Sequence, residues 1–94
     1  MLEKDAEKFL KIEIEKRGGK CWKWVSPGRD GVPDRILLLP GGRIYFVEMK
    51  TEVGKLALMQ RYVIQRITQL GFDVRVLYGK TDVKAFLQEI DHAV

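Results

Sequence analysis

The sequence predicts a small α/β domain with the element order α-β-β-β-α-β-α, in which helices flank a mixed sheet. Two observations predict this class. Apolar residues recur at helical spacing in three segments, and short apolar or alternating runs between them end at glycine or proline. A chain of 94 residues has room for one core only, so residues 1–94 are interpreted as a single domain.

Three segments carry the helical pattern, and they cover residues 3–17, 56–70 and 82–90. Glycines follow the first two segments, as they commonly do at helix C-termini. Thr81 is the expected N-cap of the third helix. The apolar stripe of the second helix consists of Leu56, Met59, Tyr62, Val63, Ile67 and Leu70.

Four runs are interpreted as strands, and they cover residues 20–25, 34–39, 43–50 and 72–78. The second and third runs are separated only by Pro40-Gly41-Gly42, which is typical of a hairpin turn.

Composition excludes several classes of protein. Hydrophobic residues make up 46% of the chain and charged residues 32%, which is ordinary for a globular domain. No apolar run approaches the ~20 residues of a membrane span, and no signal peptide is expected. The single cysteine, Cys21, cannot form an internal disulfide, so a reducing, cytoplasmic location is expected.

The basic excess lies in the middle of the chain. Between residues 21 and 70, eight Lys and Arg side chains stand against four Asp and Glu side chains, an excess equal to the net charge of +4. A polyanion such as nucleic acid is the natural partner of such a segment. A basic surface that serves only solubility is the alternative.

Within this segment, two acids and a lysine are spaced so that a hairpin joins them. Glu48 and Lys50 share one face of a strand because side chains alternate, and Met49 points to the other face. If residues 40–42 form a three-residue loop, Asp34 falls opposite Glu48, with Cβ atoms ~4.5–5.5 Å apart. A two-residue loop would pair Asp34 with Met49 and place the carboxylates on opposite faces.

Two carboxylates at this distance repel each other unless a cation lies between them. Mg²⁺ or Mn²⁺ binds through oxygen ligands, polarises a phosphoryl oxygen and lowers the pKa of a bound water. Lys50 can orient that water or stabilise the negative charge of the transition state. Asp34, Glu48 and Lys50 thus predict a metal-dependent phosphodiesterase site. An ordinary hairpin is the alternative, but Glu48 continues an apolar strand, where an uncompensated charge costs free energy.

Three stretches resemble one nuclease family, namely Gly31-Val32-Pro33-Asp34-Arg35, Phe46-Val47-Glu48-Met49-Lys50, and Gln60 on the following helix. Together they resemble the PD-(D/E)xK nuclease superfamily and, within it, the virus-type replication-repair nuclease (VRR-NUC) domain. The similarity extends from about residue 2 to residue 87. It implies a restriction-endonuclease-like mixed sheet flanked by helices.

The resemblance also implies roles for individual residues. Asp34, Glu48 and the backbone carbonyl of Met49 are expected to bind Mg²⁺ or Mn²⁺. Lys50 and Gln60 are expected to complete the catalytic set, with Gln60 holding a water or a phosphate.

The family carries a further acid on its first helix, and Glu3 and Glu7 both qualify because they lie four residues apart on one face. The family spacing favours Glu3 as a catalytic residue and metal ligand, whereas the resolvase relatives favour Glu7. The residues expected to contact DNA phosphates are Lys23, Ser26, Arg29 and Lys55.

The leading prediction is a divalent-metal-dependent DNA endonuclease. The resemblance implies Holliday-junction resolvase-like cleavage of branched, four-way DNA by a homodimer. The alternatives are a flap, nick or non-selective nuclease, and a non-catalytic basic DNA-binding module. Trp22, Trp24 and Tyr45 are the candidate dimer contacts, and the two tryptophans are expected in the core or in that interface rather than stacked on bases.

Overall fold

The computed structural model of the protein describes residues 3–93. Over this range the elements follow the predicted order. Their bounds are α1 Glu3–Lys16, β1 Lys20–Lys23, β2 Arg35–Leu39, β3 Arg43–Lys50, α2 Leu58–Gln69, β4 Val74–Tyr78 and α3 Gly79–His92. The predicted α/β class and element order are therefore confirmed.

The four strands form a sheet in the order β1-β2-β3-β4. β1, β2 and β3 pair antiparallel, whereas β4 pairs parallel with β3. A parallel pair needs a crossover connection, and α2 supplies it between β3 and β4. The predicted mixed sheet is confirmed.

The hydrophobic core lies between one face of the sheet and the helices α1 and α3. Tyr45, Val47 and Met49 alternate along β3 and are buried together with Leu10 of α1 and Phe86 of α3. This alternation leaves the intervening residues of β3 on the opposite face, which is the face that carries the candidate site.

The burial of Tyr45 contradicts its expected place in a dimer contact. Its ring meets the ring of Phe86 edge-on, with centroids 5.2 Å apart. Because α3 covers this face of the sheet, Tyr45 is a core residue. Trp22 is 58% exposed, and Trp24 is half-buried with its ring 5.2 Å from that of Phe46.

The helix α2 is the least enclosed of the three helices, since Val63 is its one buried residue. Tyr62 is 53% exposed and Leu70 75% exposed. The apolar stripe predicted for this helix is therefore present, but three of its six residues, Met59, Tyr62 and Leu70, are exposed.

The prediction of Thr81 as an N-cap is wrong, because α3 begins earlier, at Gly79, with Tyr78 as its N-cap. The Asp82 carboxylate accepts a hydrogen bond of 2.9 Å from the Tyr78 backbone N–H. An acidic side chain inside the first turn thus accepts from the backbone N–H of the N-cap residue itself. None of the helices within residues 3–93 is long and apolar enough to span a membrane.

Candidate active site

The β2–β3 hairpin sets the geometry of the site. Its ladder begins with Leu39 opposite Arg43 and keeps the same register along both strands, so the loop contains three residues. This register brings Asp34, one position before β2, opposite Glu48. The predicted three-residue loop is confirmed, and the two-residue alternative is excluded.

Backbone hydrogen bonds hold Asp34 against β3 and β1. Its carboxylate oxygen Oδ2 accepts a hydrogen bond from the Met49 backbone N–H at 3.4 Å. Its carbonyl accepts from the Trp24 backbone N–H at 2.8 Å. The residue is therefore fixed between the two strands although it lies outside the regular ladder.

The second carboxylate oxygen of Asp34, Oδ1, is buried and has no hydrogen-bond partner among the described residues. Burial is the first cause that raises the pKa of Asp34 from 3.8 to about 7, and the nearby charge of Glu48 is the second. A buried acceptor without a partner is costly. A cation beside Asp34 would satisfy this oxygen and reduce the repulsion between the carboxylates.

Glu48 is the buried acid of the sheet, with 5% of its surface exposed. Its Oε2 accepts a hydrogen bond of 3.0 Å from Gln60 Nε2 and lies 3.6 Å from Lys50 Nζ. Burial raises the pKa of Glu48, and the positive charge of Lys50 opposes that shift. Asp34, Glu48, Lys50 and Gln60 therefore meet at one place, as expected.

Gln60 connects this carboxylate to the start of α2. While its Nε2 donates to Glu48, its Oε1 accepts from the Ala57 backbone N–H at 2.9 Å and caps the helix. The amide is therefore engaged at both ends within the protein, which differs from the expected contact with a water or phosphate. The cap also explains why α2 begins at Leu58 rather than at residue 56.

The donor set fits a hard divalent cation. The carboxylates of Asp34 and Glu48 offer oxygen ligands, and Mg²⁺ or Mn²⁺ commonly keeps several waters beside so few protein ligands. The Met49 carbonyl as a third ligand stays a prediction. Within residues 3–93 no three His, Cys, Asp or Glu side chains cluster closely enough to hold a metal. Asp34 and Glu48 would therefore bind an ion as a pair.

The two candidate acids of α1 lie in different environments. Glu7 forms a salt bridge of 3.1 Å with Arg35, and its charge contributes to the raised pKa of Asp34. The charge of Glu3 contributes to the raised pKa of Glu48. Neither residue forms a three-acid cluster with Asp34 and Glu48 in the described part of the chain. The preference for Glu3 stays a prediction.

The expected DNA-contacting residues differ in exposure. Lys23, Arg29 and Lys55 are exposed and Ser26 is half-buried. Ser26 and Arg29 line a cavity beside α2.

Two further residues of this cavity, Tyr62 and Arg66, were not singled out as site residues from the sequence. Their spacing of four residues on one helix places them on one face. The helical spacing of apolar residues placed Tyr62 in an apolar stripe, but it gave no reason to connect Tyr62 with the hairpin.

We expect the ionised carboxylate of Asp34 to destabilise the metal-free fold, and a bound metal ion to remove this destabilisation. Its folded-state pKa of about 7 lies above the ordinary 3.8, so between these values the folded protein binds more protons than the unfolded one. Without metal, this carboxyl therefore contributes stability at low pH that is lost as the pH rises through about 7. At pH 8, Asp34→Asn should have a higher melting temperature than the wild type, by roughly 4–8 °C for each kcal/mol of unfolding free energy that it regains. Near pH 4 the two melting temperatures should be equal.

Thermal melts with and without Mg²⁺ test this prediction. Saturating Mg²⁺ at pH 8 should raise the melting temperature of the wild type, since a ligand at 100 times its Kd adds about 2.7 kcal/mol. It should leave Asp34→Asn nearly unchanged. Equal stabilisation of both proteins by Mg²⁺ would contradict metal binding at Asp34.

A mixed sheet with an acid pair and a lysine on one hairpin is the arrangement of PD-(D/E)xK nucleases, and the chain has the fold of this class. The VRR-NUC domain model matches residues 2–81. The chain therefore belongs to the VRR-NUC family, which confirms the predicted resemblance.

Two similar proteins support this assignment. A solved structure described as a VRR_NUC domain superposes with a TM-score of 0.86 at 32% sequence identity and covers 98% of this chain and 97% of its own. A protein of Acyrthosiphon pisum secondary endosymbiont phage 1, named "Putative nuclease p44", is 47% identical over 89 residues, which is 95% of each chain.

Proposed function

We propose that the protein is a divalent-metal-dependent DNA endonuclease that hydrolyses phosphodiester bonds. One observation carries the proposal. Asp34 and Glu48 face each other in the confirmed register, and a buried oxygen of Asp34 has no partner within residues 3–93. Membership of a nuclease family and the basic excess around the hairpin support DNA as the substrate.

Each residue of the site has a separate role in this proposal. Asp34 and Glu48 hold Mg²⁺ or Mn²⁺, assisted by the Met49 carbonyl. An ion held there supplies charge neutralisation at the phosphate and a more acidic water. Lys50 stabilises the negative charge that develops on the phosphoryl oxygens. Gln60 keeps the Glu48 carboxylate oriented through the hydrogen bond of 3.0 Å.

We further propose that the enzyme prefers branched DNA and acts on four-way junctions as a homodimer. Resolution of a junction requires cuts in two strands, and each chain contributes one site. A closed two-fold dimer would match the symmetry of the junction. Trp22, which is 58% exposed, offers apolar surface for such a contact.

Cleavage assays on defined DNA test these proposals. The purified chain is incubated with labelled four-way junction, flap and plain duplex in Mg²⁺, Mn²⁺ or EDTA, and its mass in solution is measured by light scattering. Paired, symmetric nicks on the junction and a dimeric mass are expected. Preferred cutting of flaps by a monomer would instead identify a flap nuclease. DNA binding without cleavage under any metal condition would identify a binding module.

The two acids of α1 should differ in this assay. We expect Glu3→Gln to lower cleavage about tenfold or more, since the family spacing favours Glu3 as the helix acid of the site. Glu7→Gln should be nearly silent in cleavage because Glu7 is already paired with Arg35 at 3.1 Å. The two variants change charge equally, so each is the control for the other. The reverse order of effects would assign the helix acid to Glu7.

A further inference from the structure

A cavity of about 340 Å³ lies between α2 and the segment that joins β1 to β2. This volume is at the lower end of the ~300–1,000 Å³ typical of small-ligand pockets. Its wall contains two aromatic side chains, two arginines, one serine and four aliphatic side chains, namely Trp24, Tyr62, Arg29, Arg66, Ser26, Val32, Val63, Ile67 and Leu70.

The chemistry of the wall suits a nucleotide. Aromatic rings and arginine guanidinium groups are the side chains on which unpaired bases stack, and arginines also contact phosphates. The lining within residues 3–93 contains no carboxylate that would repel a phosphate. Among the same residues, neither Arg29 nor Arg66 forms a salt bridge. Both guanidinium groups are therefore available to an anionic ligand.

The cavity adjoins the acid pair through shared backbone. Trp24 in its wall donates a backbone hydrogen bond of 2.8 Å to the Asp34 carbonyl. On the opposite wall, Val63 lies one helical turn beyond Gln60, whose amide binds Glu48. Both walls of the cavity are therefore connected to residues of the acid pair. A nucleotide in the cavity would belong to the same DNA strand as a phosphate at that pair.

A glycine sets the position of one wall. Gly31 has a φ of +87°, and a Cβ placed there would lie 2.6 Å from the Met59 carbonyl oxygen of α2. The loop can therefore approach the first turn of α2 only because this residue has no side chain. The close approach joins the loop that ends in Asp34 to the helix that carries Tyr62 and Arg66.

We propose that this cavity binds an unpaired nucleobase of the DNA substrate, with Tyr62 and Trp24 as stacking partners and Arg29 and Arg66 as contacts to the adjoining phosphates. The proposal rests on the proposed nuclease function and specifies its substrate as DNA with an unstacked nucleotide beside the cleaved bond. It assigns Trp24 a base-stacking role, opposite to the expectation from sequence.

A binding experiment tests the proposal without requiring cleavage. The probe is a duplex with a short single-stranded overhang that contains 2-aminopurine, and its fluorescence is titrated with the full chain in EDTA. The fully paired duplex of the same sequence is the reference DNA. Tyr62→Ala should weaken binding of the overhang at least about fivefold, the lower end of what loss of one stacking partner costs. Tyr62→Phe keeps the ring and should bind like the wild type.

The arginine contact has a matched control on the same helix. Arg66 lines the cavity, whereas Arg61 is exposed on α2 outside the lining. Arg66→Gln and Arg61→Gln reduce net charge equally, so any larger loss of overhang binding in Arg66→Gln reports a contact within the cavity. The two tyrosine variants should bind the paired duplex like the wild type, and the two arginine variants should bind it equally, each weakened by the loss of one charge.

Two results would overturn the proposal. One is wild-type binding of the overhang by Tyr62→Ala, and the other is an equal loss for paired and overhanging DNA. If Tyr62→Ala changes the mass in solution while 2-aminopurine binding is unchanged, the face is a contact between copies of the chain instead. Mg²⁺-dependent cleavage of the four-way junction by the wild type tests the nuclease function separately, because the cavity is tested by binding in EDTA, where no metal-dependent cleavage occurs.

Discussion

Asp34→Asn and Glu48→Gln are each expected to reduce Mg²⁺-dependent cleavage by about 10²-fold or more, since each removes one ligand and one negative charge from the ion site. Both changes keep the shape of the side chain. Asp34 has a pKa raised to about 7 and Glu48 a raised pKa, so a neutral amide is not expected to destabilise the metal-free fold. The measurement is single-turnover cleavage of labelled DNA, together with a thermal melt of each variant.

Asp30→Asn is the matched control for these variants. Asp30 is exposed and lies four residues before Asp34. Its substitution by Asn changes the net charge by the same amount as Asp34→Asn. It should cleave like the wild type, so a loss confined to the acid pair would exclude a general effect of charge on DNA binding. Near wild-type cleavage by either Asp34→Asn or Glu48→Gln would refute the site assignment.

The hairpin register is the part of the site that could be predicted most completely. The Pro40-Gly41-Gly42 sequence limits the loop to a few lengths, and alternation along β3 fixes which residues share a face. Gly41 and Gly42 both adopt positive φ, of 83° and 74°, which glycine accepts readily. Local chain geometry alone therefore brings Asp34 opposite Glu48.

Packing between distant elements was less predictable. Alternation placed Tyr45 on the face away from Glu48, but it did not show that α3 covers that face and buries the ring. The start of α2 depends on the Gln60 amide, which caps the helix and binds Glu48 at the same time. Both features depend on contacts between residues that are separated along the chain, and helical or strand periodicity contains no information about such contacts.

The cavity beside α2 could not be predicted from helical periodicity either. From the sequence, Tyr62 could belong to a buried apolar stripe or to the wall of a binding cavity. Helical spacing shows which residues share a face, but it does not show what that face contacts. The 53% exposure of Tyr62 distinguishes the two cases. A helix whose apolar stripe faces solvent is a candidate binding surface.

Lys50→Ala is expected to lower the cleavage rate of bound DNA by about 10²–10³-fold while changing DNA affinity little. Lys50 Nζ lies 3.6 Å from Glu48 Oε2, so its charge is held at the carboxylate pair rather than extended into solvent. A positive charge in this position has its largest effect when negative charge develops on the phosphoryl group. Loss of the Lys50 charge should therefore lower the rate of the chemical step rather than the affinity for DNA.

Two variants separate this role from others. Lys50→Met keeps most of the aliphatic stem without the charge, and it should lose as much activity as Lys50→Ala if the ammonium group is what matters. Lys55→Ala removes an exposed lysine a few residues further along and should weaken DNA binding without slowing cleavage of bound DNA. Single-turnover rates at saturating enzyme give the chemical step, and titrations in EDTA give the affinity. If Lys50→Ala lost only affinity, Lys50 would be a phosphate contact, and the transition-state charge would have to be stabilised by other groups at the acid pair.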